Sequence, residues 1–156
     1  MKKLAYLCLA LCLFTTIASA QKITAKTLQG KWMLTAFESE GIFFDLAKND
    51  VIIPDEIKSQ IPPEQLEQAK TGMLASMSTL KGSYMLIADS NFTATLGQEL
   101  TKGTYTLTEK DKKQFMIITM EGEGPDETEV LMKDNKLHLI QYTNGVKEGE
   151  LIYTKG

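Results

Sequence analysis

The sequence predicts a mainly β fold: an up-and-down antiparallel barrel of about eight strands, with a helical insertion between the first strand and the remaining strands. Two observations lead to this fold class. From Ser83 onward, short threonine- and aromatic-rich segments alternate with a period of two and are separated by turn residues. Before them, residues 63–81 carry apolar side chains at steps of three and four. Short connections make sequential strands neighbours in space, and eight such strands can remove their exposed edges by closing on themselves.

Residues 1–20 have the pattern of a secretory signal peptide. Lys2 and Lys3 give a positive start, an apolar run covers 4–17, and small residues at 18–20 suit signal-peptidase cleavage. The run is too short for a membrane span, and no other segment approaches the roughly 20 apolar residues that a spanning helix needs. We therefore expect an exported protein, periplasmic or extracellular, that forms one domain over residues 21–156.

Both cysteines, Cys8 and Cys12, lie in this leader. The mature chain would then have no disulfide, no thiolate zinc site and no cysteine nucleophile. Lipid anchoring at Cys12 is the competing fate, but the large Leu11 stands where a lipoprotein signal needs a small residue. We favour an exported protein without a lipid anchor.

The charge pattern disfavours several classes of partner. The full chain has a net charge of −3, which becomes −5 without Lys2 and Lys3. All 17 basic residues are lysine, so no arginine can clamp a carboxylate or phosphate with two parallel hydrogen bonds. An acidic domain without arginine is a poor match for nucleic acid, and we expect no nucleic-acid partner.

The first strand is predicted at 28–39, and 41–46 continues or returns from it. Residues 47–82 form the predicted helical insertion, in which a short helix can begin at Pro54 and the main helix at Pro63. The main helix has an apolar stripe and a favourable stop at Lys81-Gly82. We expect it to lie across one opening of the barrel and to gate access to the interior. The stripe consists of Leu66, Ala69, Met73, Met77 and Leu80.

Seven further strands are predicted after the insertion, and their turns decide which residues share a face. Hairpin turns are expected at Ser90-Asn91, Asp134-Asn135 and Asn144-Gly145, since these residues tolerate positive φ. A slip of one residue exchanges the two faces of a strand. The predicted strands cover 83–89, 91–97, 103–108, 114–120, 127–133, 136–142 and 147–154.

Two-residue loops in the first two hairpins give consistent inward faces. They group Met85 and Ile87 with Ala94 and Leu96, and Val130 and Met132 with Leu137 and Leu139.

The last hairpin leaves two alternatives. A two-residue Asn144-Gly145 loop would turn Glu148 and Glu150 toward the face of Leu137. A three-residue loop, 143–145, which we favour, carries a bulge at its glycine and puts Leu151 beside Leu137 instead.

The tripeptide Gly30-Lys31-Trp32 at the start of the first strand resembles the Gly-x-Trp motif of the lipocalins and their calycin relatives. The resemblance implies that Trp32 packs across the closed end of a barrel, with Lys155 in the place of the arginine that usually caps it. The order of elements is similar to secreted bacterial lipocalin-like domains, and the insertion resembles the lid of fatty-acid-binding proteins. The chain departs from the family in lacking a Thr-Asp-Tyr motif.

The predicted inward side chains are rich in methionine, which adapts to varied apolar shapes and is common on promiscuous binding surfaces. One interpretation is a cavity for a small hydrophobic ligand. The other is that the same residues fill a small core. The predicted ligand-binding set is Met73, Met77, Met85, Ile87, Leu96, Tyr105, Met116, Ile118, Met120, Val130, Met132, Leu137 and Leu139.

Residues suited to catalysis or metal binding are scarce. His138 is the only histidine and is predicted to face outward beside Leu131 and Ile140, so a histidine metal cluster is excluded. The acidic loop 121–129 offers oxygen atoms, but its spacing matches no EF-hand, and a solvated connection explains it. We expect no catalytic residue, no metal and no cofactor.

The favoured function is an exported binding protein that carries or senses a small hydrophobic ligand in the barrel. The alternative is a secreted protein-protein interaction or inhibitor module, whose barrel would be packed shut by its own side chains. An enzyme is disfavoured, because it would require Glu148 and Glu150 to turn into the cavity.

Overall fold

Eight antiparallel strands close into a barrel in the computed structural model, which describes residues 22–156. The predicted signal peptide and both cysteines lie outside the described residues. The strands are β1 (Gly30–Ser39), β2 (Ile42–Asp45), β3 (Asp50–Ile52), β4 (Tyr84–Ala88), β5 (Asn91–Leu96), β6 (Glu99–Lys110), β7 (Lys113–Met120), β8 (Pro125–Lys133), β9 (Lys136–Thr143) and β10 (Val146–Lys155). The barrel runs β1-β4-β5-β6-β7-β8-β9-β10 and back to β1, while β2 and β3 extend the sheet from β1.

The helices are α1 (Ala25–Leu28), α2 (Asp55–Lys58) and α3 (Leu66–Met77). Single 3-10 turns, Pro63–Gln65 and Ser78–Leu80, precede and follow α3. The predicted insertion between the first strand and the later strands is confirmed, although it also contains the unpredicted strand β3. None of the helices within 22–156 is long and apolar enough to span a membrane.

Strand β1 has partners on both sides and closes the barrel. It pairs with β10 from Trp32↔Lys155 to Ser39↔Gly149. On its other side, residues 30–33 pair with β4 and residues 36–39 pair with β2. A bulge between Leu34 and Ala36 lets both Trp32 and Phe37 turn inward, although five positions separate them.

The turn between β4 and β5 lies one residue earlier than predicted. Asp89 and Ser90 form it, with Asp89 at φ 54°, and Ala88 pairs with Asn91. The pairing shifts by two residues, so the faces are unchanged, but Phe92 now lies opposite Ile87. The predicted turn at Asp134-Asn135 is confirmed: both residues have positive φ, and Val130 pairs with Leu139.

The last hairpin combines parts of both predicted alternatives. Its loop is the two-residue Asn144-Gly145 turn, because Thr143 pairs with Val146, so the three-residue loop is wrong. A bulge at Glu148 then restores the favoured faces, and Leu151 lies opposite Leu139 instead of Leu137. Without this bulge, Glu150 would face the apolar interior, where burying its carboxylate without a partner would be costly.

Trp32 lies at the closed end of the barrel, which we define by residues 22–29 and the turns 89–90, 111–112 and 134–135. This residue is 2% exposed, and its Nε1 donates to the carbonyl oxygen of Leu28 at 2.7 Å. The Nζ atom of Lys155 lies 5.2 Å from the centroid of the indole ring. A short segment that ends in α1 thus covers this end and is held by the tryptophan.

We predict that Trp32→Ala destabilises the fold by about 3–5 kcal/mol, the usual scale for removing a buried aromatic side chain. Lys155→Met, which keeps the aliphatic stem, should cost only about 0.5–1 kcal/mol through the lost cation–π contact. Urea unfolding followed by circular dichroism measures both. An unchanged midpoint for Trp32→Ala would contradict the structural role of this residue.

Candidate functional site

Ten of the thirteen predicted ligand-binding residues lie in the barrel interior, and the exceptions are Met73, Met77 and Leu96. Seven are between 0% and 5% exposed and belong to one apolar cluster with Trp32. Ile118, Met120 and Met132 pack against that cluster. The seven are Met85, Ile87, Tyr105, Met116, Val130, Leu137 and Leu139.

The half of the interior nearest the closed end is filled by these side chains. Met116 and Leu137 are 0% exposed and Ile87 is 1% exposed, so other side chains cover them almost completely. Phe92 and Tyr153 complete the same cluster. Close packing of this kind is typical of a protein core, and a ligand could enter only by displacing core side chains.

The opposite, open end is defined by the turns 40–41, 97–98, 121–124 and 144–145. Leu96 lies here, 44% exposed at the end of β5, and is therefore not among the buried interior residues. Its exposure follows from the register, in which Leu96 pairs with Glu99 at the tip of the hairpin. Ile118 and Met120 face inward here and are only half-buried.

Helix α3 turns its apolar stripe toward the extension of the sheet. Met73 and Met77 pack against a second cluster formed by Phe37, Phe44, Val51 and Ile53. The rings of Phe37 and Phe44 stack with their centroids 4.5 Å apart. No residue of α3 is fully buried, and Gln68, on the side of the helix away from this cluster, is exposed. The helix is therefore the more loosely held layer of the structure.

His138 faces outward, as the strand pattern predicts, but is only 9% exposed. Its Nδ1 lies 2.5 Å from Oε1 of Glu150, and Lys147 donates to Oε2 of the same carboxylate at 2.7 Å. Lys147 also donates to Glu38 at 2.8 Å. This network lies on the outside of the barrel, so Glu150 does not reach the interior.

Glu150 is held ionised by its neighbours. Burial by itself would raise the pKa of this carboxyl, but hydrogen bonds and charge from Lys147 and His138 outweigh burial and hold the pKa below 4.5. A half-buried carboxylate with two partners stabilises the junction of β9 and β10.

Among residues 22–156, no three His, Cys, Asp or Glu side chains come together in an arrangement able to hold a metal ion. In the acidic loop, Glu129 is 7% exposed and accepts a hydrogen bond from Lys113 at 2.7 Å.

A groove of about 860 Å³ lies beside the closed end. Its walls are the segment 22–26, the turn at Asp89-Ser90 and the end of β6 from Tyr105 to Glu109. The predicted strand at 103–108 did not indicate this groove, and β6 runs two residues further, to Lys110. The continued alternation of Thr106, Thr108 and Lys110 is the signal that could have revealed the longer strand.

Comparison with protein-family models, curated protein sequences and solved structures finds no match to this chain. The class that the described residues define is that of closed eight-stranded antiparallel β-barrels.

We predict that Glu150→Gln lowers stability at neutral pH and flattens its dependence on acid. Because the pKa of Glu150 is depressed in the folded protein, its contribution is present above about pH 4.5 and is lost as the pH falls through the lower folded value. Urea midpoints between neutral pH and pH 3 measure the effect. Glu148→Gln at the exposed bulge is the matched control, and equal curves for the two variants would contradict this assignment.

We predict a second pH effect at the alkaline side. Burial raises the pKa of Tyr153 from 10.0 to about 12. Between these values the unfolded chain loses the phenolic proton while the folded protein keeps it, so stability falls as the pH rises through this window. Tyr153→Phe should remove this loss, whereas Tyr142→Phe, at an exposed position, should not. Ionisation of Tyr153 near pH 10, followed by ultraviolet absorbance, would disprove the prediction.

Proposed function

We propose that this chain is an exported binding protein whose target is another protein, with the barrel as a rigid scaffold. The observation that carries the proposal is the packed interior around Met116, Leu137 and Ile87. A barrel that carries a ligand needs a cavity of about 300–1,000 Å³ lined by apolar groups. Here those groups contact one another, which leaves the outer surface and the loops for binding.

The proposal assigns no catalytic role to the chain. An enzyme would have required Glu148 and Glu150 in the interior, and the bulge at Glu148 turns Glu150 to the outer face. There the carboxylate is bound by His138 and Lys147, which suits a structural network better than proton transfer to a substrate.

We also infer a relationship to the lipocalins. Three features support it: a closed eight-stranded barrel, Gly30 and Trp32 at the start of β1, and Lys155 over the indole ring. In a distant relative, lysine can replace the usual arginine, because either cation attracts the negative face of the ring. The proposal that the protein is exported rests on the signal-peptide pattern of residues 1–20.

A second candidate function is the binding of a small hydrophobic ligand at the open end. It is favoured by the half-buried Ile118 and Met120 and by large apolar side chains on the rim. Leu96 is 44% exposed and Val146 is 67% exposed. The loosely held helix α3 would then be the element that moves when a ligand enters.

An apolar, environment-sensitive dye distinguishes the two functions. We predict that the wild-type protein shows no saturable dye binding and that native mass spectrometry finds no small molecule retained after purification. The second candidate predicts saturable binding that Met77→Asp abolishes and Gln68→Asp leaves intact, because only Met77 faces the apolar cluster. Saturable binding with this pattern would overturn the proposed function.

A further inference from the structure

The end of β6 extends beyond β5, and no other strand within residues 22–156 pairs with this part of its edge. Strand β5 begins at Asn91, which pairs with Thr104. One more bond follows, from the Tyr105 N–H to the Ser90 carbonyl oxygen at 2.9 Å. Beyond it, β7 is the one strand of the described part of the chain that pairs with β6, as far as Lys110↔Lys113.

The direction of the Tyr105 N–H determines where the following backbone groups point. Backbone groups alternate between the two sides of a strand. Because Tyr105 donates toward β5, the N–H and C=O groups of Leu107 and Glu109 also point to that side and into the groove. No hydrogen bond joins them to another residue of the described segment. Unpaired edge groups of this kind are a template for another strand.

The groove beside this edge has defined walls. The side-chain amide of Gln114 forms two hydrogen bonds with the backbone of Ile23. It accepts from the Ile23 N–H at 2.7 Å and donates to the Ile23 C=O at 2.8 Å. Lys22 pairs with Glu109 at 2.9 Å, so these two charges cancel. Beyond Tyr105, whose N–H is bonded to Ser90, the five residues from Thr106 to Lys110 span about 16 Å at the usual rise per residue. A single extended segment of about five residues matches that length.

We propose that an extended peptide segment of a partner protein adds as a strand to β6 in this groove. This inference rests on the proposed function, since it names the surface that binds the protein target. The edge offers donors and acceptors that recur every second residue, a spacing that an extended main chain matches along its length. A second barrel fits less well, because its neighbouring strands would meet the opposite wall at Ala25 and Lys26.

The side chains around the groove indicate the chemistry of the segment. Residues of an added strand that share the face of Leu107 would contact the apolar, half-buried side chain of Leu107. Residues on the other face would lie beside Thr106 and Thr108. We therefore expect a segment without net charge that has an aliphatic residue at every second position.

Amide hydrogen exchange by NMR tests the edge in the free protein. The amides of Leu107 and Glu109 should exchange rapidly, whereas those of Thr106 and Thr108, which bond to β7, should be protected. Protection of all four amides in the free protein would overturn the proposal, because the edge would already be covered by this chain or by a second copy.

A display library of random octapeptides, selected on the full mature protein, supplies the probe. The selected peptides should protect the amides of Leu107 and Glu109. Ala25→Trp, which fills the groove from its opposite wall, should weaken their binding about tenfold or more, the scale of losing one to two backbone hydrogen bonds. Ala75→Trp on the exposed side of α3 is the matched control and should leave binding unchanged. Glu109→Pro, which removes one groove-facing N–H, is the second test variant.

The outcomes separate this inference from the proposed function. Peptides that bind but protect amides elsewhere, or that bind Ala25→Trp and Glu109→Pro like the wild type, would overturn strand addition and leave a protein-binding role. Failure to select any peptide would also overturn it. If, in addition, the apolar dye binds saturably, the proposed function fails as well.

Discussion

The pairing of β1 with strands on both sides is the constraint on which the rest of the structure depends. Along β10 it runs from Trp32 to Ser39 with one bulge at Thr35, and it joins the last strand to the first, which closes the barrel. On the other side β1 is shared between β4 and β2. Because β4 pairs with only residues 30–33 of β1, residues 36–39 of β1 are free to pair with β2. Strands β2 and β3 then form the extension on which α3 packs.

Two bulges adjust which side chains face the interior. The bulge at Thr35 shifts the inward positions of β1, and the Thr35 hydroxyl donates to the Ile152 carbonyl oxygen at 3.2 Å, which ties the irregular backbone to β10. The bulge at Glu148 does the same for β10. Without them, Phe37 and Leu151 would face outward and Glu150 inward. Both bulges therefore serve the same requirement, that the enclosed volume be filled by apolar groups.

The filled closed-end half of the interior is the reason why we propose a binding surface on the outside of the barrel. In a staggered barrel, neighbouring strands do not end at the same level, and the unequal lengths of β5 and β6 leave part of β6 without a neighbour. The same stagger that allows closure thus creates the groove at the closed end. The segment 22–26 forms the far wall, because Gln114 holds Ile23 and Trp32 holds Leu28 at the end of the helix that follows. Core packing and the candidate binding surface are consequently linked through the N-terminal segment.

Much of this architecture was determined by the sequence alone. The alternation after Ser83, the helical stripe of 66–80 and the turn residues at 134–135 predicted the strands, the insertion and one exact hairpin, because these signals are local. The sequence also favoured the inward face for Leu151, because the hydrophobic pattern of the last strand puts its apolar residue inside, where the structure has it.

Only the tertiary structure decided the features that depend on pairing between distant strands. Whether Met85 and Met116 line a cavity or fill a core follows from the barrel's enclosed volume, which no local pattern encodes. The device that turns Leu151 inward, a bulge instead of a longer loop, depended on pairing with β9. The partner of His138 depended on register, because Glu150 lies twelve residues away in the chain. The groove at β6 likewise exists only because two neighbouring strands end at different levels.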